Sequence, residues 1–108
     1  MRDHNLYISD IKEAIEKIQK YIENSDYESF LADSKTRDSV LHNLLIAGEA
    51  ANKIPDSVRA HYPDVDWHGM IGMRNIIVHG YFKVNPEIIW KTVIEKLPEV
   101  LALLQGTK

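Results

Sequence analysis

Apolar residues recur at intervals of three and four along the first part of the chain. The clearest set is Ile8, Ile11, Ile15, Ile18 and Ile22. This spacing puts all five isoleucines on one side of an α-helix and fits no strand alternation. Asp3 or Asn5 could cap the start of the helix, and Asn24-Ser25-Asp26 marks its end. A short helical turn is predicted to follow, containing Tyr27, Phe30 and Leu31.

A second long helix is predicted from after Ser34 to about Lys53. Its last turns are rich in small residues that would let another helix approach closely: Ala47, Gly48, Ala50 and Ala51. Pro55 ends this helix or opens a new short one, from Asp56 to His61, because proline is tolerated in the first turn of a helix.

A third helix is predicted from about Trp67 to Val78, with Asp66 as its N-cap. It is apolar around most of its circumference, which is typical of a buried helix. The apolar positions are Met70, Ile71, Met73, Ile76, Ile77 and Val78. Gly80 is well placed to end the helix in the left-handed conformation.

The last helix is predicted to open at Asn85-Pro86-Glu87, with proline in its first turn. Pro98 removes one backbone hydrogen bond and should bend it. Its apolar face is formed by Ile89, Val93, Leu97, Val100 and Leu104. With no strand pattern and no repeat, the chain is predicted to be all-α, an antiparallel bundle of four to five helices in a single domain over residues 1–108.

Composition narrows the class of protein. The chain has no cysteine, which excludes disulfides, thiolate metal sites and cysteine nucleophiles. No apolar run approaches the about 18 residues that span a bilayer, so we expect a cytoplasmic protein that has no contact with membranes. The net charge of −3 argues against a general nucleic-acid coat protein. It does not exclude an RNA enzyme, because a few arginines can make one cleft positive.

Candidate chemistry is concentrated in the third helix. Arg74 and Asn75 interrupt an apolar stretch, and His79 closes it. At about 100° per residue, Arg74 and His79 lie roughly 140° apart, whereas Asn75 and His79 share a face. If Arg74 and His79 act on one phosphate, either the last helical turn unwinds or a second copy of the chain completes the site.

Purely structural roles also account for some of these residues. A histidine in the last helical turn is favoured by the helix dipole, and Arg74 could simply pair with Glu49 or Glu87. The polar group His61, Asp64, Asp66 and His68 matches no familiar metal-ligand spacing, so we interpret these residues as loop and cap residues. Trp67 and Trp90 are interpreted as anchors of the core or of an interface.

The order of Arg74, four residues, His79, one residue and Tyr81 resembles the signature of the HEPN superfamily, in the form found in the HepT toxin family. Further blocks resemble the same family in the same order, so the resemblance covers nearly the whole chain. These blocks are 48–55, 67–75, 80–82 and 88–90. The six-residue spacing alone would be weak, but the ordered blocks are specific.

The resemblance implies a helical homodimer with its active motifs at the interface, and a metal-independent endoribonuclease that needs no cofactor. It also implies the toxin of a type VII-like toxin–antitoxin pair, whose antitoxin partner is a minimal nucleotidyltransferase. In such pairs the antitoxin transfers AMP to the motif tyrosine, which corresponds to Tyr81 here.

These expectations define a mechanism and its alternatives. Histidine exchanges protons near neutral pH, so His79 suits the proton transfers of RNA cleavage. The permanent charge of Arg74 suits the phosphate, and Asn75 would orient His79 or donate to the phosphate. Alternatively, the chain is a non-catalytic partner that presents Tyr81 or a substrate to a nucleotidyltransferase, or a helical module that binds a small molecule or nucleotide.

Overall fold

The computed structural model describes residues 3–80 and 83–106, and within these ranges the regular structure is helical throughout. The predicted all-α fold is confirmed. Within these ranges, three long helices and a composite last helix form the bundle, together with two short helices. In chain order, the helices are α1 (His4–Tyr21), α2 (Tyr27–Ala32), α3 (Ser34–Lys53), α4 (Asp56–Arg59), α5 (Trp67–Gly80), α6 (Pro86–Lys91) and α7 (Leu97–Leu104), with a π-helical segment (Thr92–Lys96) joining the last two.

Helix α1 follows its isoleucine stripe. Asp3 is the cap, since its carboxylate accepts a hydrogen bond from the backbone N–H of Asn5 at 2.8 Å. The stripe is buried along the helix at Ile8, Ile11, Ile15 and Ile18. Burying one apolar stripe supplies most of the stability that a helix of this length has in a folded protein.

Helix α3 lies at the centre, because α1 packs along it and α5 packs along it as well. It begins at Ser34, since the carboxylate of Asp33 accepts a hydrogen bond from the backbone N–H of Thr36 at 3.1 Å. Its small residues near the C-terminal end are buried. The predicted close approach of another helix is therefore found, and the approaching helix is α5.

Helix α5 begins as predicted, with Asp66 accepting a hydrogen bond from the backbone N–H of Gly69 at 2.9 Å. It ends later than predicted, at Gly80. The prediction of a left-handed Gly80 is wrong, because this glycine continues the helix and has no positive φ. Among the described residues, positive φ angles occur after α1, at Asn24 (63°), and after α7, at Gly106 (75°).

The prediction that α5 is a buried helix is only partly confirmed for a single chain. Trp67, Met70 and Ile77 are buried, but Ile76 and Val78 keep 53% and 48% of their surface exposed. The reason is that the main packing partner of α5 within the described chain is α3. The solvent-facing part of α5 therefore carries Asn75 and His79, with the exposed apolar residues Ile76 and Val78 on either side of them.

The last helix departs from α-geometry just before Pro98. The backbone N–H of Leu97 donates to the carbonyl of Thr92, five residues earlier, which is the hydrogen bond of a π-turn. Proline cannot donate, and its ring would crowd the carbonyl four residues before it. The predicted disturbance by Pro98 is thus accommodated as one widened turn.

Both tryptophans are anchors, as predicted. Trp67 is 7% exposed, and its indole N–H donates to the carbonyl of Tyr62 at 3.2 Å. Trp90 packs against Phe30 and Tyr27, with ring centroids 5.1 and 6.3 Å apart.

In the described part of the chain, no helix is both long and apolar enough to cross a bilayer.

Candidate active site

The side chain of Arg74 projects from the side of α5 that faces α3. Its Cβ lies against the backbone of Gly48, and a Cβ built on Gly48 would clash with it and come within 2.9 Å of the carbonyl oxygen of Met70. Only a residue without a side chain fits at this contact. The glycine in α3 therefore allows the root of Arg74 to lie in the seam between the two helices.

The guanidinium of Arg74 is held by two acceptors. Its Nε donates to a carboxylate oxygen of Glu49, with which it forms an ion pair. Its Nη1 donates to Oδ1 of Asn75 at 2.8 Å. The arginine and glutamate side chains are 26% and 39% exposed, so solvent screens the pair and it contributes more to orientation than to stability.

Of the two partners considered for Arg74 from the sequence, the structure has Glu49 and not Glu87. The role expected for Asn75, to orient His79 or to donate to the phosphate, stays a prediction. Its side chain is exposed and lies on the same face as His79, but its oxygen accepts a hydrogen bond from Arg74. Asn75 therefore connects the arginine to the face of α5 that carries the histidine.

His79 is exposed in the last turn of α5, where the negative end of the helix dipole favours a cation. The helix stays regular through Gly80, so the last turn does not unwind to bring His79 beside Arg74. Within one chain the Cα–Cβ directions of the two residues remain roughly 140° apart around the helix axis, although the Arg74 guanidinium bends toward Asn75, which shares the face of His79. Of the two arrangements predicted to bring both groups to one phosphate, the unwound last turn is not found, and completion of the site by a second copy of the chain stays a prediction.

Lys83, which the sequence analysis does not single out, lies close to the end of α5. Its Cβ lies 3.8 Å from the position that a Cβ on Gly80 would occupy, so its exposed side chain starts beside the last turn of α5.

Tyr81, the predicted modification site, lies outside the described residues. The polar group His61, Asp64, Asp66 and His68 does not form a cluster, since the described ranges contain no group of three or more side chains suited to a metal ion. Asp66 instead caps α5.

An apolar cavity of about 170 Å³ lies between α3, α5 and the last helix, separate from the polar site. Arg74, Asn75 and His79 do not line it. Its walls include Leu44, Ala47, Met70, Met73, Leu97 and Val100. The interpretation of the chain as a small-molecule module that uses the polar pocket therefore finds no support in this cavity.

Comparison with known proteins gives a consistent result. The family model described as "Ribonuclease HepT-like" matches residues 11–106. "Probable ribonuclease HepT" of Thermococcus cleftensis is 39% identical over 99 residues, covering 92% of this chain and 90% of that protein. "Putative RNase MJ0127" of Methanocaldococcus jannaschii is 36% identical over 97 residues, covering 90% and 80%.

A bacterial relative shows the same extent of similarity. "Putative RNase TTE0752" of Caldanaerobacter subterraneus is 30% identical over 100 residues, covering 93% of this chain and 89% of that protein. The family model therefore covers the chain from the middle of α1 to the end of the last helix, and it includes the segment with Arg74 and His79. No solved structure matches the chain significantly.

Proposed function

The chain belongs to the family of HepT-like ribonucleases, and on this premise we propose that it is a metal-independent endoribonuclease whose site contains Arg74, Asn75 and His79. One observation carries the assignment of the site. The Arg74 guanidinium is anchored by Glu49 and Asn75 yet remains partly exposed, next to the face of α5 that bears the exposed His79.

The chemistry needs two proton transfers and one stabilised charge. The ribose 2′-OH attacks the adjacent phosphorus and loses its proton, and the leaving 5′-oxygen gains one. His79 is the group that exchanges these protons. Arg74 offers planar donors to the phosphate oxygens as negative charge accumulates in the transition state. The products end in a 2′,3′-cyclic phosphate and a 5′-hydroxyl.

A homodimer completes the site in this proposal. Ile76 and Val78 are exposed apolar residues on the helix that carries the site, and a Cβ built on Gly72 would meet no other atom within 4 Å. These features support α5 packing against a second copy across a two-fold axis. In that arrangement the two Arg74–His79 sets share one RNA groove, and one or both histidines transfer protons.

The biological role proposed is that of the toxin in a type VII-like toxin–antitoxin pair in the cytoplasm. The partner is a minimal nucleotidyltransferase that silences the toxin by transferring AMP to Tyr81. An adenylyl group two residues from His79 would bring a bulky anion to the RNA site. It would oppose RNA by size and by charge.

The test is the cleavage of RNA by wild-type protein and by His79→Ala. A single-stranded RNA incubated in the presence of a metal chelator should yield fragments with cyclic phosphate ends. His79→Ala should lower the rate at least about 100-fold, as expected for loss of a general acid–base group. His61→Ala, which removes an exposed histidine from a loop, is the matched control and should cleave normally.

Two outcomes would contradict the proposal. Equal cleavage by wild type and His79→Ala would show that the activity comes from another site or from a contaminant. A wild-type protein that cleaves no RNA but binds the nucleotidyltransferase would favour the non-catalytic partner instead.

A further inference from the structure

We propose that Glu49 is a positioning residue of the RNA-cleaving site and that its carboxylate sets the orientation in which Arg74 meets the phosphate. The effect of Glu49 on catalysis rests on the proposed function. The contact between Glu49 and Arg74 does not, because it results from the packing of α3 against α5. Glu49 would act through Arg74 and would not touch the RNA.

The packing of α3 against α5 restricts the conformation of the Arg74 side chain. Gly48 lets the Cβ of Arg74 lie against the α3 backbone, and the next residue in α3 is Glu49. The glutamate is therefore on the helix that fixes the root of the arginine side chain, and it receives the Nε hydrogen bond. An arginine has several rotatable bonds, and this one is restrained at its root and at its head.

The division of donors matters for the chemistry. Glu49 accepts from Nε and Asn75 accepts from Nη1, so acceptors hold two of the three nitrogens and fix the plane of the guanidinium. Neither of these two bonds uses Nη2. A planar cation held in this way can present its remaining donors to phosphate oxygens without first losing side-chain freedom.

The charge of Glu49 is otherwise a disadvantage. A carboxylate beside the arginine repels an approaching phosphate and so weakens the initial binding of RNA. Glu49 can then favour the reaction only in the transition state, by keeping the Arg74 guanidinium in place. A displacement of such a group by about 1 Å can cost about 100-fold in rate. Removal of Glu49 should therefore reduce the cleavage rate without weakening RNA binding.

Kinetics test this separation. Glu49→Ala should lower the single-turnover cleavage rate by about 10- to 100-fold, while its affinity for an uncleavable 2′-O-methyl RNA stays equal or rises. Glu49→Gln should recover much of the rate, because an amide oxygen also accepts from Nε. In an Arg74→Ala background, Glu49→Ala should cause no further loss. Glu16→Ala, which removes an exposed glutamate from α1, controls for the change in net charge.

A second readout is independent of cleavage. The ¹H–¹⁵N signal of the Arg74 Nε group should be protected from exchange in wild type and Glu49→Gln, and should lose that protection in Glu49→Ala. An unchanged Nε signal in Glu49→Ala would overturn the proposal whether or not the protein cleaves RNA. So would full cleavage by Glu49→Ala. Absence of cleavage by wild type would count against the proposed function alone, since the Nε signal would still test the contact.

Discussion

The backbone of Gly48 lies directly against the Cβ of Arg74, so α3 and α5 meet at the arginine of the proposed active site. The contact joins stability to function, because the atoms that pack the two helices together also hold the root of a site residue. A change in the spacing of these helices should therefore appear in both properties.

Gly48→Ala should destabilise the fold and impair the site together. The added methyl would clash with the Cβ of Arg74 and crowd the carbonyl of Met70, so α5 must shift. We expect the free energy of unfolding to fall by about 1–3 kcal/mol, the usual cost of an overpacked contact. Urea denaturation followed by circular dichroism measures this, and the cleavage rate at a temperature where the variant is folded should also fall.

Gly72→Ala, also in α5, is the matched control for the stability of the single chain. Its added methyl meets no atom within 4 Å in the single chain, and alanine favours a helix by about 1 kcal/mol over glycine. The monomer should be equally or more stable. If Gly48→Ala were as stable as wild type and as active, the tight contact between α3 and α5 would not matter for either property.

Ile76→Asp should weaken the proposed homodimer without unfolding the chain. Ile76 is 53% exposed, so an aspartate there costs a single chain little, whereas a buried charge at an interface would be costly. Sedimentation velocity should show the wild type as a dimer and the variant shifted toward monomer, with a corresponding loss of cleavage. Leu6→Asp changes a leucine of α1 that is 47% exposed, and it should remain dimeric. A monomeric wild type would rule out the dimeric site.

Tyr81 should carry the modification that silences the proposed toxin. Protein co-expressed with its nucleotidyltransferase partner should gain the mass of one or more adenylyl groups, and Tyr81→Phe should gain none because it lacks the accepting hydroxyl. Modified wild type should cleave RNA much more slowly than unmodified protein. Tyr21→Phe, which removes an exposed hydroxyl at the end of α1, is the control. An adenylyl group that persists in Tyr81→Phe would place the modification elsewhere.

Stability should decline in acid through the aspartate caps of α2 and α3. Hydrogen bonds from the backbone and the hydroxyl of Ser29 hold the pKa of Asp26 below its usual value of 3.8. Hydrogen bonds from the hydroxyl and the backbone of Thr36 do the same to the pKa of Asp33. The unfolded chain then binds protons more readily than the folded one. The stabilisation is complete above the unfolded pKa and is lost as pH falls through the folded pKa.

Asparagine at these two caps keeps a capping oxygen but cannot titrate. Below about pH 4, the double variant Asp26→Asn/Asp33→Asn should lose stability less steeply than wild type in urea denaturation at a series of pH values. Asp64→Asn, an exposed loop change, is the control. Identical pH dependence of wild type and the double variant would contradict the contribution of the caps.

Local patterns in the sequence determined much of the fold. The isoleucine stripe of α1 predicted both its helix and its buried face, because the 3.6-residue period relates sequence spacing directly to one side of a helix. Capping is equally local, and Asp66 was predictable as the start of α5 since its hydrogen bond spans only three residues. Helix α5, which follows Asp66, also contains the arginine and histidine of the motif that resembles the ribonuclease family.

Only the tertiary structure decided how the helices pack against one another, and this packing sets the surroundings of the proposed site. The tertiary structure pairs Arg74 with Glu49 and not with Glu87. The sequence could not decide between them, because Arg74 and Glu49 are 25 positions apart and meet only when α3 packs on α5. The tertiary structure also left Ile76 exposed on a helix that was predicted to be buried, since apolar composition does not reveal how many neighbours a helix has. Periodicity specifies which side of a helix is apolar, whereas the choice of partner depends on packing between distant segments.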